Sequence, residues 1–334
     1  MRTGLPNDIV NPRISIIIPT LNRPVGLLRL LGSVRSQDFL NFECIVVDDG
    51  SNAETLETYK EIWKELDPRF ILHQKNLSDR RSGPSFSRNT GIGLATGHFL
   101  AFCDDDDIWI RDDHLSSAVH AMEAHDADLF FADMISSAPD SARPTYYNRA
   151  RRHIMRVQAA QGDDVYVIDK RGMAAVLSHG ALHSDTIVIE KKLAEVAGCY
   201  WEQTRHSEDL DFSFRVVDKA RGILFRSTPT AQHEVSPHGS LVQSFSPSEN
   251  ALFSYLALLH AELSLETATM RRTAKKSRAW SLYELSRIAL RNGNRRVSWD
   301  LCVRSLMQYP SGAALTLLLK LLLRRSGTTI RNQD

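Results

Sequence analysis

The stretch that most constrains this chain is Phe99-Leu100-Ala101-Phe102-Cys103 running directly into Asp104-Asp105-Asp106-Asp107, closed by Ile108-Trp109. An apolar run of strand length predicts a buried strand, and four adjacent carboxylates at its end repel one another unless a cation lies among them. Read as extended backbone, side chains two apart project to the same side, so the spacing pairs Asp104 with Asp106 around one ion. Carboxylate oxygens suit Mg2+ or Mn2+, which also take waters and substrate phosphates. The plainer alternative is a solvated acidic turn.

The rest of the chain repeats that design. Ile14-Ser15-Ile16-Ile17-Ile18-Pro19-Thr20 and Phe42-Glu43-Cys44-Ile45-Val46-Val47 read as buried strands, ending at Leu21-Asn22 and at Asp48-Asp49-Gly50-Ser51. Helical spacing follows from Asn22 and over 53–66 and 85–94, with a short strand over 70–73. Further strands are expected over 128–133, 185–189 and 222–226, and helices over 115–124 and 193–197. Strands alternating with helices predict an α/β domain with a mostly parallel sheet, whose ligands bind beyond the carboxyl ends of the strands. From 251 onward strand signals vanish and four helices are expected, which predicts two regions, 1–245 and 246–334. Residues 270–334 carry a net charge of +11 against −10 for residues 1–269. The Leu-rich segment 315–325 is too short to span a bilayer but fits a helix lying on an anionic membrane surface; packing within the chain or in a homodimer is the alternative. No basic-aromatic pattern points to nucleic acid. Residues 1–11 lack the apolar core of a signal peptide, and Cys44, Cys103, Cys199 and Cys302 form no CxxC pair, so a cytoplasmic chain with reduced thiols is expected, peripheral on the inner membrane face if the basic tail binds there.

In order, 16–23 (IIIPTLNR), 45–51 (IVVDDGS), 83–92 (GPSFSRNTGI) and 102–109 (FCDDDDIW) resemble the successive motifs of the family-two glycosyltransferases, over about residues 13–240. The resemblance implies a GT-A fold (Rossmann-like, of the nucleotide-diphospho-sugar transferases) and an inverting, metal-dependent enzyme. It would move a single sugar from a nucleotide-sugar, expected to be a UDP-sugar, to a glycan or lipid-linked hydroxyl in cell-surface polysaccharide synthesis. On that basis Pro19, Thr20 and Asn22 line the nucleotide cleft, Asp48 binds the base, and Arg81 and Arg88 approach the diphosphate, an ion pair on the helix surface being the alternative for Arg88. Asp104-x-Asp106 matches the DxD pair, with Asp106 the direct ligand of Mn2+ or Mg2+. Asp105 is grouped with the nucleotide-sugar residues, either as a charge behind the ligands or, as expected, pointing into solvent. His233 or His238 could complete the metal site or touch phosphate, with His233 the candidate third ligand.

The second acidic group is Ser207-Glu208-Asp209. Ser207 is expected to cap the helix that Leu210, Phe214 and Val217 begin, and the acids suit its positive end. An acceptor hydroxyl must lose its proton as it attacks, and a carboxylate can take it. The family's Glu-Asp motif matches Glu208-Asp209, with Asp209 as base. Tyr146-Tyr147 belong to a polar segment, 139–157, expected over the acceptor side or as a plain surface loop. A nucleotidyltransferase would carry a Gly-rich loop in place of Pro19-Thr20-Leu21-Asn22, and an inactive binding module would not need every acidic position filled.

Overall fold

The computed structural model describes residues 11–75, 82–137, 145–148, 164–234 and 245–323. The first half alternates as expected: β1 (Ile14–Thr20), α1 (Pro24–Arg35), β2 (Phe42–Asp48), α2 (Ala53–Lys64), β3 (Phe70–Gln74), α3 (Pro84–Leu94) and β4 (Phe99–Phe102). β1 is apolar without alternation because both its faces are covered. Ile14, Ile16 and Ile18 pack with Leu27, Leu30 and Val34 of α1, whereas Ile17 faces the opposite layer beside Ile92 of α3.

Beyond the acidic loop come β5 (Ile108–Trp109), α4 (His114–Ala124), β6 (Leu129–Ser136), β7 (Val165–Val167), α5 (Lys170–Leu177), β8 (Ile187–Glu190), α6 (Lys191–Val196), α7 (Glu208–Lys219) and β9 (Ile223–His233). The sheet order is β3-β2-β1-β4-β8-β6-β9-β5, with β7 also on β9. β3-β2-β1-β4 run parallel, and so do β6 and β9. β8 lies antiparallel between β4 and β6, and β5 and β7 are antiparallel to β9, so the sheet is mixed. β8 starts two residues later than its apolar pattern suggests, because residues 184–186 form a 3-10 turn. β9 runs on to His233; Pro229 is tolerated within it beside a register shift against Asp133.

Four helices close the chain: α8 (Pro247–Ser264), α9 (Ala268–Arg291), α10 (Arg295–Gln308) and α11 (Gly312–Leu323). α8 opens on a capping box between Ser246 and Glu249, and the Thr267 side chain caps α9 by accepting from the Met270 N–H. Leu258, Ala261, Met270 and Ala274 join the core that contains Phe212 and Phe214 of α7, so α8 and α9 share the interior of the α/β region. α10 and α11 gather a smaller core of Cys302, Ala314, Leu317 and Leu321. Among the described residues no helix is long and apolar enough to cross a membrane. All four cysteines are free, three of them buried.

Candidate active site

The carboxyl ends of β1, β2 and β4 bring their polar loops to one edge of the sheet. Thr20, buried at the end of β1, donates its hydroxyl to Asp105 (2.7 Å) and contacts the Tyr59 hydroxyl (2.9 Å). Pro19 precedes it, half-buried. Asn22 takes a left-handed conformation (φ 55°), which Asn tolerates better than most residues. Its N–H donates to Ser51 Oγ and its Oδ1 accepts from Asn52 N–H, both at 2.8 Å, so it ties the first loop to the second. Asp48 is fully buried and closes its turn by accepting from the Ser51 N–H and hydroxyl. Arg81 and His238 lie outside the described residues, and of segment 139–157 only 145–148 are described.

The acidic loop is not extended. Asp107 N–H donates to the Asp104 carbonyl at 3.1 Å, closing a turn that brings residues i and i+3 together instead of i and i+2. Asp104 and Asp107 therefore lie with Asp185 of the 3-10 turn, and Asp107 also lies with His183 and His233; within each triad the ligand atoms fall within 4.8 Å of one another. Asp106 instead pairs with Arg23. Asp105 corrects the expectation that it points to solvent: it is buried, accepts from Thr20 and pairs with Arg23 at 3.1 Å, and burial pushes its carboxyl up to about 7. His233 sets Nδ1 3.0 Å from Asp107, and that carboxylate raises the imidazole's affinity for protons.

Arg88 of α3 joins this loop to α7. It is not on a helix surface: its side chain is 3% exposed, Nη2 donates to Asp104 at 2.6 Å and Nη1 to Glu208 at 3.0 Å, and Nη1 stands 3.6 Å from Asp209. Tyr200 covers the guanidinium from 5.1 Å. Asp209 keeps a third of its side chain exposed, but its Oδ1 is enclosed without a hydrogen-bond partner. Burial foremost, with Glu208 and Asp104 adding repulsion against Arg88's attraction, pushes its carboxyl up to about 8. Ser207 stands at the start of α7 but does not cap it. Its backbone is left-handed (φ 65°), and its hydroxyl turns to Ser254 of α8 at 3.1 Å. Tyr146 stands over His183, ring centroids 5.5 Å apart.

The structure thus brings Asp104, Arg88, Glu208 and Asp209 into one connected group and sets His233 beside the acidic loop. Sequence reasoning missed Arg23, Asp107, His183 and Asp185; the only local signal for the last two was the polar triplet His183-Ser184-Asp185 at the head of an apolar strand.

Residues 15–183 match the family model described as glycosyl transferase family 2. The chain belongs to that family. Over 97 residues, 29% of the chain, it is 37% identical to the Campylobacter jejuni GalNAc(5)-diNAcBac-PP-undecaprenol beta-1,3-glucosyltransferase, and this match spans 30% of that relative's length. Two solved structures share the family 2 chain's fold at low identity. Staphylococcus aureus TarS 1–349 in complex with UDP-GlcNAc superposes with a TM-score of 0.65 at 18% identity, covering 96% of this chain and 93% of that one. The Pyrobaculum calidifontis mannosyltransferase PcManGT, in complex with GDP-Man and Mn2+, gives 0.57 at 17% identity, covering 98% and 86%.

Proposed function

We propose that this chain is a metal-dependent, inverting glycosyltransferase that moves one sugar from a nucleotide-sugar, by preference a UDP-sugar, to a hydroxyl of a glycan or lipid-linked acceptor. The observation that carries the reading is Asp209: a part-exposed carboxylate whose Oδ1 has no hydrogen-bond partner, held across Arg88 from the acidic loop. Its carboxyl, pushed up to about 8, gains a proton far more readily than an ordinary aspartate yet still ionises near neutral pH, the balance a general base needs. Asp209 takes the proton of the acceptor hydroxyl as that oxygen bonds to the anomeric carbon. The bond to the diphosphate breaks on the opposite face, so configuration inverts without an enzyme nucleophile.

Glu208 neutralises Arg88 on the base side. Thr20, Asn22 and Asp48, with Pro19 beside them, shape the nucleotide cleft, with Arg81 and Arg88 on the diphosphate side. The carboxylates of the acidic loop and the imidazole of His233 form an oxygen- and nitrogen-donor set that fits Mn2+ or Mg2+. Such a cation supplies Lewis-acid stabilisation of the departing diphosphate. The UDP-GlcNAc of the TarS complex and the undecaprenol-linked substrate named for the Campylobacter relative support a UDP-sugar donor and a lipid-linked acceptor. The exposed Leu315, Leu319, Leu322 and Leu323 of α11, in a region of net charge +11, suit an anionic membrane carrying that acceptor.

Calorimetric titration of UDP, GDP, dTDP and CDP with Mn2+, repeated in EDTA, tests the donor side. Metal-dependent binding of UDP is expected, kept in Asp209→Asn while sugar transfer falls about 10²–10⁴-fold. Failure of every nucleotide to bind, or full activity in Asp209→Asn, would overturn the reading.

A further inference from the structure

We propose that Tyr200 is a positioning residue for the base: its ring, clamped by Asn89 and backed by Phe212, fixes the Arg88 guanidinium against Asp209, and its hydroxyl takes no part. This rests on the reading of Asp209 as general base and adds to it a residue that acts on the base without touching substrate.

Two helices pin the loop that carries Tyr200. Asn89, next to Arg88 on α3, accepts the Tyr200 N–H on Oδ1 at 2.8 Å, and its Nδ2 donates to the Tyr200 carbonyl at 2.9 Å and to Glu202 at 2.7 Å. Arg215 of α7 donates to the carbonyls of Ala197 and Cys199, the latter at 2.6 Å, and pairs with Asp211. The ring so held stacks on Phe212, with centroids 4.1 Å apart and planes 20° apart, and Phe102 meets it edge-on at 5.7 Å. With one face on Phe212, its other face carries the Arg88 guanidinium, 5.1 Å from the centroid. Phe212 follows Glu208 by four residues and Asp209 by three, so all three project from one side of α7. That side of the helix therefore holds Arg88 twice, directly through Glu208 and through Tyr200 by way of Phe212.

The contact that gains from this is the weakest of the three that Arg88 makes with acids. Asp104 and Glu208 accept its hydrogen bonds at 2.6 and 3.0 Å, whereas Asp209 stands 3.6 Å away without one. No bond fixes the pull of the guanidinium on the base, so its strength depends on what holds the cation in place and keeps water out. An aromatic face over a desolvated cation does both. The hydroxyl has no such part: it is enclosed without a hydrogen-bond partner, and a phenylalanine would fill the same stack. The charged and titratable groups that act on Asp209 are Arg88 of α3, Glu208 on its own helix, Asp104 of the acidic loop, and the phenols of Tyr146 and Tyr200.

Carboxyl ¹³C titration of Asp209, in the full chain with EDTA and no nucleotide, tests the proposal. Tyr200→Leu keeps the site apolar but removes the aromatic face, and should move the Asp209 midpoint up by about half a unit to one unit, a threefold to tenfold tighter hold on its proton. Tyr200→Phe should keep the wild-type midpoint and should not lower Tm. A merely structural role would lower Tm in Tyr200→Leu and leave the midpoint where it was. The wild type gives a reading that needs no folded variant at Tyr200: the Arg88 guanidinium protons, assigned through Arg88→Lys, should resonate upfield under the ring current. An unmoved midpoint in folded Tyr200→Leu, a shifted one in Tyr200→Phe, or guanidinium protons without the upfield displacement would each overturn the proposal. None of these readings uses donor or acceptor, so a wild type that transfers no sugar would sink the proposed function while leaving the positioning of Arg88 to be judged separately.

Discussion

Replacing Arg88 by Gln removes a cation that the acidic loop and the α7 carboxylates share, and its effect can be worked from distances. Nη1 stands 3.6 Å from Asp209. At an effective dielectric near 20, a unit charge at that distance contributes about 5 kcal/mol. Asp209 is a third exposed, so solvent screens most of this. A residual of roughly 1–2 kcal/mol corresponds to about one pKa unit. Arg88 holds the Asp209 carboxyl down against the burial that pushes it up to about 8, so its loss moves the midpoint further up. The base acts deprotonated, so the rise of activity with pH must shift to more alkaline values in Arg88→Gln. Stability falls as well. Asp104 and Glu208 lose a partner at 2.6 and 3.0 Å, and breaking buried pairs costs about 3–5 kcal/mol. For a chain of this size that lowers Tm on the order of 10 °C. Carboxyl ¹³C titration in EDTA, with Asp209 assigned through Asp209→Asn, reads the midpoint, and calorimetry reads Tm. Arg88→Lys keeps the charge and should hold the midpoint near the wild-type value while losing part of the stability. A folded Arg88→Gln protein whose Asp209 midpoint stays put or moves down would refute the electrostatic account.

Three other substitutions probe the frame of the site. A Cβ on Gly26 of α1 would meet the Asp105 carbonyl oxygen at 2.5 Å, so Gly26→Ala, although favourable for a helix by about 1 kcal/mol, should displace the acidic loop and weaken Mn2+ and nucleotide binding in calorimetry. Unchanged binding would mean that the loop adapts freely. Ser207→Gly should raise Tm by relieving a left-handed conformation that costs about 1 kcal/mol, and Ser207→Ala should not, as thermal unfolding of both would establish. Asp113 bonds to Arg111 and Arg226, which hold its carboxyl below the usual carboxylate range. A depressed folded value gives stability that is present above the unfolded pKa and lost as pH falls through the folded one. Denaturant unfolding of Asp113→Asn should thus show a deficit of about 1–2 kcal/mol at neutral pH that shrinks below about pH 4.

What the sequence made legible, and what it hid, follows from how far each feature depends on distant chain. β1, β2 and β4 announce themselves because a strand buried on both faces needs an unbroken apolar run, and the burial of every residue of β2 bears that out. β5, of two residues, and β7, of three, are too short to carry a period, and α5 went unread between segments of mixed composition. In the site, Asp104, Glu208 and Asp209 stand out as acids at the ends of apolar patterns, and Arg88 as a charge in an otherwise uncharged helix. The misplacement of Asp105 and the omission of Asp107 have one cause. Spacing in a polar run has no meaning until the backbone conformation is known: in a strand, residues two apart share a side, and in a turn, residues three apart do. Nothing within Asp104-Asp105-Asp106-Asp107 distinguishes the two. The turn brings Asp107 to Asp185, about eighty residues away, only because β8 inserts antiparallel between β4 and β6 and carries the head of its strand back to the end of β4. A mixed sheet therefore hides part of its chemistry from sequence reasoning that a purely parallel one would reveal, because its antiparallel strand delivers residues from its amino end to the edge where parallel strands deliver theirs from the carboxyl end.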